Sequence, residues 1–156
     1  MQSIKKFFTL LLLLTFAVSA YAADELTPEQ KRARTTIFEF VKSEGFAPYI
    51  DEEDQSITFK KEGVLHWITI GSSNPFYVEF HRAGMKNGDY SRNALLRACN
   101  EANRRIRCAK AMLGESSVLF SVEMYLHSAN EVRYTFYNNM DELLNCYEKV
   151  RSELAE

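Results

Sequence analysis

The chain has 156 residues, of which 46% are hydrophobic, 13% aromatic and 26% charged, with only three prolines. That composition excludes a disordered, collagen-like or low-complexity polypeptide and fits one domain with a core of its own. The 19 basic and 21 acidic residues give a formal charge of −2, which leaves no basic excess to hold a phosphate backbone, so nucleic acid is not an expected partner.

The N-terminus reads as a secretory signal: Lys5 and Lys6, an apolar run from Phe7 to Val18, then Ser19-Ala20-Tyr21-Ala22 with small residues placed for a peptidase. Cleavage is expected after Ala22. The apolar run falls short of the roughly 20 residues of a membrane-spanning helix, which weighs against the competing reading of a retained anchor, and no cysteine follows the cleavage site to carry a lipid. Removing 22 of 156 residues leaves a domain of 134, and loss of Lys5 and Lys6 leaves 17 basic against 21 acidic residues, a charge of −4. The expected product is periplasmic or secreted, with no membrane attachment after processing.

Thr27-Pro28-Glu29-Gln30 has the pattern of a capping box with proline at the first helical position, so a first helix is predicted over about 28–44 and stopped by Gly45. Its apolar stripe is Ala33, Ile37, Phe40 and Val41. From Pro48 to Arg82 the period changes to two, through Ile57/Phe59, Val64 to Ile70 and Phe76/Val78/Phe80, with turn residues at 51–54, 62–63 and 71–75. Three or four antiparallel strands follow, most simply as a meander. Residues 83–90, with the pair Asn87-Gly88, read as a loop.

A second helix is expected from about Ser91 to Leu113, its stripe being Leu95, Cys99, Ala102, Ile106, Ala109 and Leu113. Residues 118–127 and 132–137 alternate around Ser128-Ala129-Asn130 and read as a hairpin. Asn139-Met-Asp-Glu142 reads as a capping box that opens a third helix carrying Met140, Leu143, Tyr147, Val150 and Leu154. The fold class is therefore α+β, a single antiparallel sheet with three helices. One sheet face must pack on helices and the other is partly wet.

Few patterns point to chemistry. His66, His81 and His127 stand singly on separate strands without metal-ligand spacing, so no metal and no cofactor are expected. Signatures of acyl transfer and nucleotide binding are absent; Cys108 with His127 lacks a third orienting group. Glu52, Glu53 and Asp54 fall in a turn without the alternating ligands of a calcium loop, and Arg104, Arg105, Arg107 and Lys110 scatter around a helix. Cys99, Cys108 and Cys146 are an odd number in an exported chain, so at least one thiol lacks an intrachain partner. Cys99 and Cys108 would lie on opposite sides of one helix, while Cys146 could meet either. The readings are a redox-active or dimer-forming thiol, or three small buried hydrophobes.

The order of elements, together with Leu95-Leu96-x3-Asn100-Glu101-x-Asn103-Arg104-Arg105-Ile106 before the paired strands, resembles the YbjN family, over about Thr36 to Val150. The resemblance implies an α-β-β-β-α-β-β-α domain with a curved sheet, like the type III secretion chaperones, in a family described as sensory transduction regulators. It implies protein binding and brings no catalytic residue. Delivery of effectors in the cytoplasm does not carry over to a chain with an export signal.

A mixed tyrosine-and-charge face remains: Tyr77, Glu79, Glu123, Tyr125, Arg133 and Tyr137. Tyrosine offers large contact area with a polar tip, a composition found at protein interfaces. The alternative is that a helix covers this surface. The expected function is a non-enzymatic exported domain binding a polypeptide, chaperone-like or regulatory, with a homodimer allowed. The competing readings are a small-ligand module using a cavity between sheet and helices, and a hydrolase without a recognisable motif.

Overall fold

The computed structural model describes residues 26–71, 76–85, 88 and 90–155. The export-signal segment, Ser72 to Pro75 of the third turn and Asn87 of the Asn-Gly pair lie outside the described residues.

Helix α1 spans Pro28–Ser43 and starts as its sequence requires: the Gln30 N–H donates to Thr27 Oγ1 at 3.2 Å, and the Thr27 N–H donates to Gln30 Oε1 at 2.7 Å. Gly45, at φ +89°, follows its end in the left-handed region. Next come β1 (Tyr49–Ile50), β2 (Ile57–Lys61), β3 (Val64–Ile70) and β4 (Phe76–Arg82). Glu62 and Gly63 join β2 to β3 with φ of +53° and +79°, the paired positive values of a two-residue type I′ hairpin. Then follow α2 (Arg92–Arg105), β5 (Ala109–Leu113), β6 (Val118–Leu126), a single 3-10 turn (Ala129–Glu131) and α3 (Val132–Leu154).

All strands join one antiparallel sheet in the order β1-β2-β3-β4-β6-β5. Among the described residues, the α+β class, the single sheet and the three helices are as expected. Alternation sends Ile57, Phe59, Ile68, Val78, Phe80, Phe120 and Val122 to one face, where all are buried. The helices gather on that side. Phe136 of α3 meets Phe59 and Phe80 of the sheet and Phe40 of α1, while α2 packs against α3 and β5.

Two segments differ from expectation. Residues 109–113 form β5 and not the end of α2, so the closing hairpin is β5–β6 with register Ala109↔Val122 and Leu113↔Val118. Residues 132–137 open α3 and are not a strand. Val132, Phe136, Met140, Leu143, Cys146 and Val150 are all buried along α3, and burying that single long stripe outweighs the alternation of the first six residues. Asn139 consequently lies inside α3, buried, and caps nothing.

Candidate functional site: the tyrosine-and-acid face of the sheet

Side chains of opposite parity to the core form rows across the other face. One row crosses all six strands through Tyr49, Thr58, Trp67, His81, Ser121 and Lys110; Thr58, His81 and Ser121 in its middle are buried, and Tyr49 at its end is exposed. Beside it lie Thr69, Glu79 and Glu123, and beyond these the cross-strand pair Tyr77 and Tyr125. Tyr125 is 65% exposed.

Specific contacts hold this surface. The Trp67 ring stacks on His81 at 4.9 Å and 10°, and Tyr77 meets Tyr125 at 5.1 Å. His81 Nε2 lies 3.1 Å from Glu79 Oε2 and 3.4 Å from Thr69 Oγ1. Burial holds the His81 imidazole below its ordinary value, against the opposing pull of Glu79. The Tyr77 hydroxyl donates to Glu123 Oε2 at 2.9 Å and the Ser121 hydroxyl to Glu123 Oε1 at 3.2 Å. Desolvation, then the bond to Glu123, raise the Tyr77 phenol well above its usual range, so it stays a donor.

Glu79 and Glu123 face each other directly in the β4–β6 ladder, a like-charge placement that costs stability. Among the described residues, no lysine or arginine forms an ion pair with either one. The result is an acidic pair between aromatic rings, with the Tyr77 hydroxyl on one side and His81 and the Ser121 hydroxyl on the other.

Four of the six expected residues, Tyr77, Glu79, Glu123 and Tyr125, therefore share this face. Arg133 and Tyr137 do not, because their segment is helical. The Arg133 guanidinium donates to Asn130 O and Oδ1, both at 3.1 Å, and the Tyr137 hydroxyl donates to Glu44 Oε2 at 2.6 Å. Arg133 lines an open groove of about 630 Å³ between α1 and α3, with Thr36, Glu39, Phe40, Glu44 and the 76%-exposed Tyr134. Trp67 and Thr69 belong to the open face and were not singled out by sequence, although their parity in β3 carried the signal.

The edges of the sheet are partly blunted. β1 has two residues. At β5, the Asn103 side chain donates through Nδ2 to Ala111 O at 3.0 Å and accepts from Ala111 N–H at 2.7 Å, filling outward backbone positions that another strand would use.

The three thiols are free. Cys99 on α2 and Cys146 on α3 are buried, whereas Cys108 is exposed in the link after α2, not on the helix with Cys99. Burial raises Cys99 and pushes Cys146 up to about 11, so both remain protonated and pack as small hydrophobes. Among the described residues, no group of three His, Cys, Asp or Glu side chains is placed to hold a metal ion, and no helix is long and apolar enough to cross a membrane.

No curated protein matches the sequence significantly. The fold is shared with "Crystal structure of YbjN, a putative transcription regulator from E. coli", at TM-score 0.58 and 9% identity, over 76% of this chain and 90% of that one. It is shared also with "Structure of the HopA1-SchA Chaperone-Effector Complex", at TM-score 0.56 and 12% identity, over 84% of this chain and 99% of that one. Residues 33–149 match the YbjN family model, described as "Putative bacterial sensory transduction regulator". With three quarters of its length inside that match, and with the helix-sheet-helix order just described, this chain belongs to the YbjN family.

Proposed function

We propose that this chain is an exported, non-enzymatic domain that binds a polypeptide across its open sheet face, with Tyr77, Glu79, Glu123 and Tyr125 at the centre of the contact. The observation that carries this reading is the asymmetry of the sheet: the helices of the described residues pack on one face, and the other presents exposed Tyr125 beside an acidic pair. Partly blunted edges favour face docking over strand addition. Carboxylates framed by aromatic rings suit a segment carrying lysine or arginine. The likeness to a chaperone-effector complex is in keeping with a polypeptide ligand. The signal pattern before Ala23 directs the domain to the periplasm or beyond.

The test uses the full chain, carrying a C-terminal tag, recovered from the exported fraction of its own cells. Its N-terminus should be Ala23, and a protein should copurify. Tyr125→Ala and Glu123→Gln should each weaken that association by roughly tenfold, about 1.4 kcal/mol, whereas Tyr134→Ala should leave it unchanged. Loss with Tyr134→Ala and retention with Tyr125→Ala would place the contact in the α1–α3 groove. Recovery of the chain alone would count against polypeptide binding.

A further inference from the structure

On the helix-covered side, at the end of the sheet away from the tyrosine pair, three cationic or basic side chains converge. His66 and Arg82 are direct cross-strand partners in β3 and β4, and Lys61 extends the same face of β2. With Val64, Met140 and Leu144 they line a pocket of about 40 Å³ that opens beside Glu62 and half-exposed Leu144. At roughly 10–15 Å³ per water, that is room for about three water-sized atoms.

Arg82 is only 7% exposed, yet no carboxylate is in ion-pair contact with it among the described residues. One nitrogen, Nη1, donates to Ala83 O at 3.1 Å, and the guanidinium carbon sits 3.7 Å above the Tyr147 ring centroid. A guanidinium has five N–H donors in a planar fork. The Tyr147 ring covers one flat side, the Tyr147 side chain also takes a hydrogen bond, and the Ala83 carbonyl takes one donor, which leaves part of the fork without a protein acceptor among the described residues. Buried charges are ordinarily paired. Glu62 at the rim pairs with neither Lys61 nor Arg82, and Glu148 of α3 turns to Arg151 at 3.4 Å.

We infer that this pocket is a binding site for one small oxyanion, a carboxylate group by size and planarity, seated against the Arg82 donors that Ala83 and Tyr147 leave over, with Lys61 supplying further positive charge. The inference is independent of the open sheet face, which lies on the opposite side of the sheet. Planar bidentate pairing is what arginine offers a carboxylate and what lysine alone does not. Hydrophobic walls from Met140 and Leu144 suit the short apolar stem of a small carboxylic acid.

His66 provides a built-in reporter. Its Nδ1 lies 3.1 Å from Val64 O and donates to it, and burial with the neighbouring Arg82 and Lys61 charges holds the imidazole down to about 4. The charged or titratable groups around it are Lys61 and Glu62 from β2 and its turn, Arg82 from β4, and Tyr147 and Glu148 from α3. A bound anion offsets the two cations and raises the His66 pKa.

The test is an NMR titration of the full mature chain at constant ionic strength, following the Arg82 Nε–H and the His66 ring while chloride is exchanged for acetate, and separately for inorganic phosphate. A saturable shift with acetate at millimolar concentration, a rise of the His66 pKa by about one unit, and at least fivefold weaker binding in Lys61→Gln and Arg82→Gln are expected. Lys61 is a turn-proximal, half-buried residue, so Lys61→Gln keeps the question open should Arg82→Gln fail to fold. Saturable binding of phosphate in place of acetate would replace the carboxylate with a tetrahedral anion in the same site. Linear shifts with both anions, or shifts unchanged in Lys61→Gln, would overturn the inference and leave Arg82 as a structural partner of Tyr147.

Discussion

His66 is 5% exposed, stacked on Phe59 at 5.7 Å, and held neutral with a pKa of about 4 chiefly because burial penalises the charged ring. In the unfolded chain the same side chain titrates near 6.5. Above that value both states are neutral and the shift costs nothing; between about 6.5 and 4 the unfolded chain binds a proton that the fold refuses. Stability therefore falls as pH drops through this window and flattens below it, by on the order of 3 kcal/mol. His81, also lowered by burial, acts in the same direction. Urea midpoints measured from pH 7 to pH 4 should decline in the wild type and decline less in His66→Gln. Parallel profiles for the two proteins would show that the folded state accepts the proton at His66.

At the scale of elements, Asn103 decides where α2 ends and β5 begins. Its side chain copies the hydrogen-bonding edge of a peptide and clips Ala111 from outside the sheet. Asn103→Ala leaves a half-buried N–H and C=O without these partners, a loss of about 1–3 kcal/mol, and should speed hydrogen exchange at Ala111. Asn103→Asp, which keeps the acceptor and loses the donor, should fall between; unchanged exchange at Ala111 in both variants would show that the clip adds nothing. In the sequence Asn103 stands out only through the spacing it shares with Asn100, and nothing local names Ala111 as its partner. Ala109-Lys-Ala-Met-Leu113 favours helix by propensity, and its apolar positions satisfy a helical stripe as well as an alternating one. Only pairing with β6, invisible locally, selects the strand. The reverse holds at Val132-Arg-Tyr-Thr-Phe-Tyr137, where β-branched and aromatic residues favour strand while the four-residue spacing Val132, Phe136, Met140 fits the helix that wins. That second misassignment carried Arg133 and Tyr137 away from the candidate face. The strands β2 to β4 and β6 were legible because apolar residues alternate along them in sequence, and so Tyr77, Glu79, Glu123 and Tyr125 were found together.

Across the whole molecule, one ring couples the separately legible parts. Phe136 is fully buried and lies 5.4 Å from Phe40 of α1, 5.8 Å from Phe46 after it, 5.8 Å from Phe59 of β2 and 6.2 Å from Phe80 of β4. The first helix, strands β2 and β4 and the last helix meet at that point, so the order of the opposite face depends on the packing of its reverse side. Removing the ring should cost about 3–5 kcal/mol, which is a large share of the roughly 5–15 kcal/mol that holds a domain together. Trp67 is the only tryptophan in the chain and sits on the opposite surface, so its fluorescence reports whether the loss propagates through the sheet. Phe136→Ala should lower the urea midpoint by the same amount whether followed by Trp67 emission or by helical circular dichroism, with Phe136→Leu intermediate. If the helical signal melted first while Trp67 stayed native, the helices would be a detachable layer, and the sheet face would have a stability of its own.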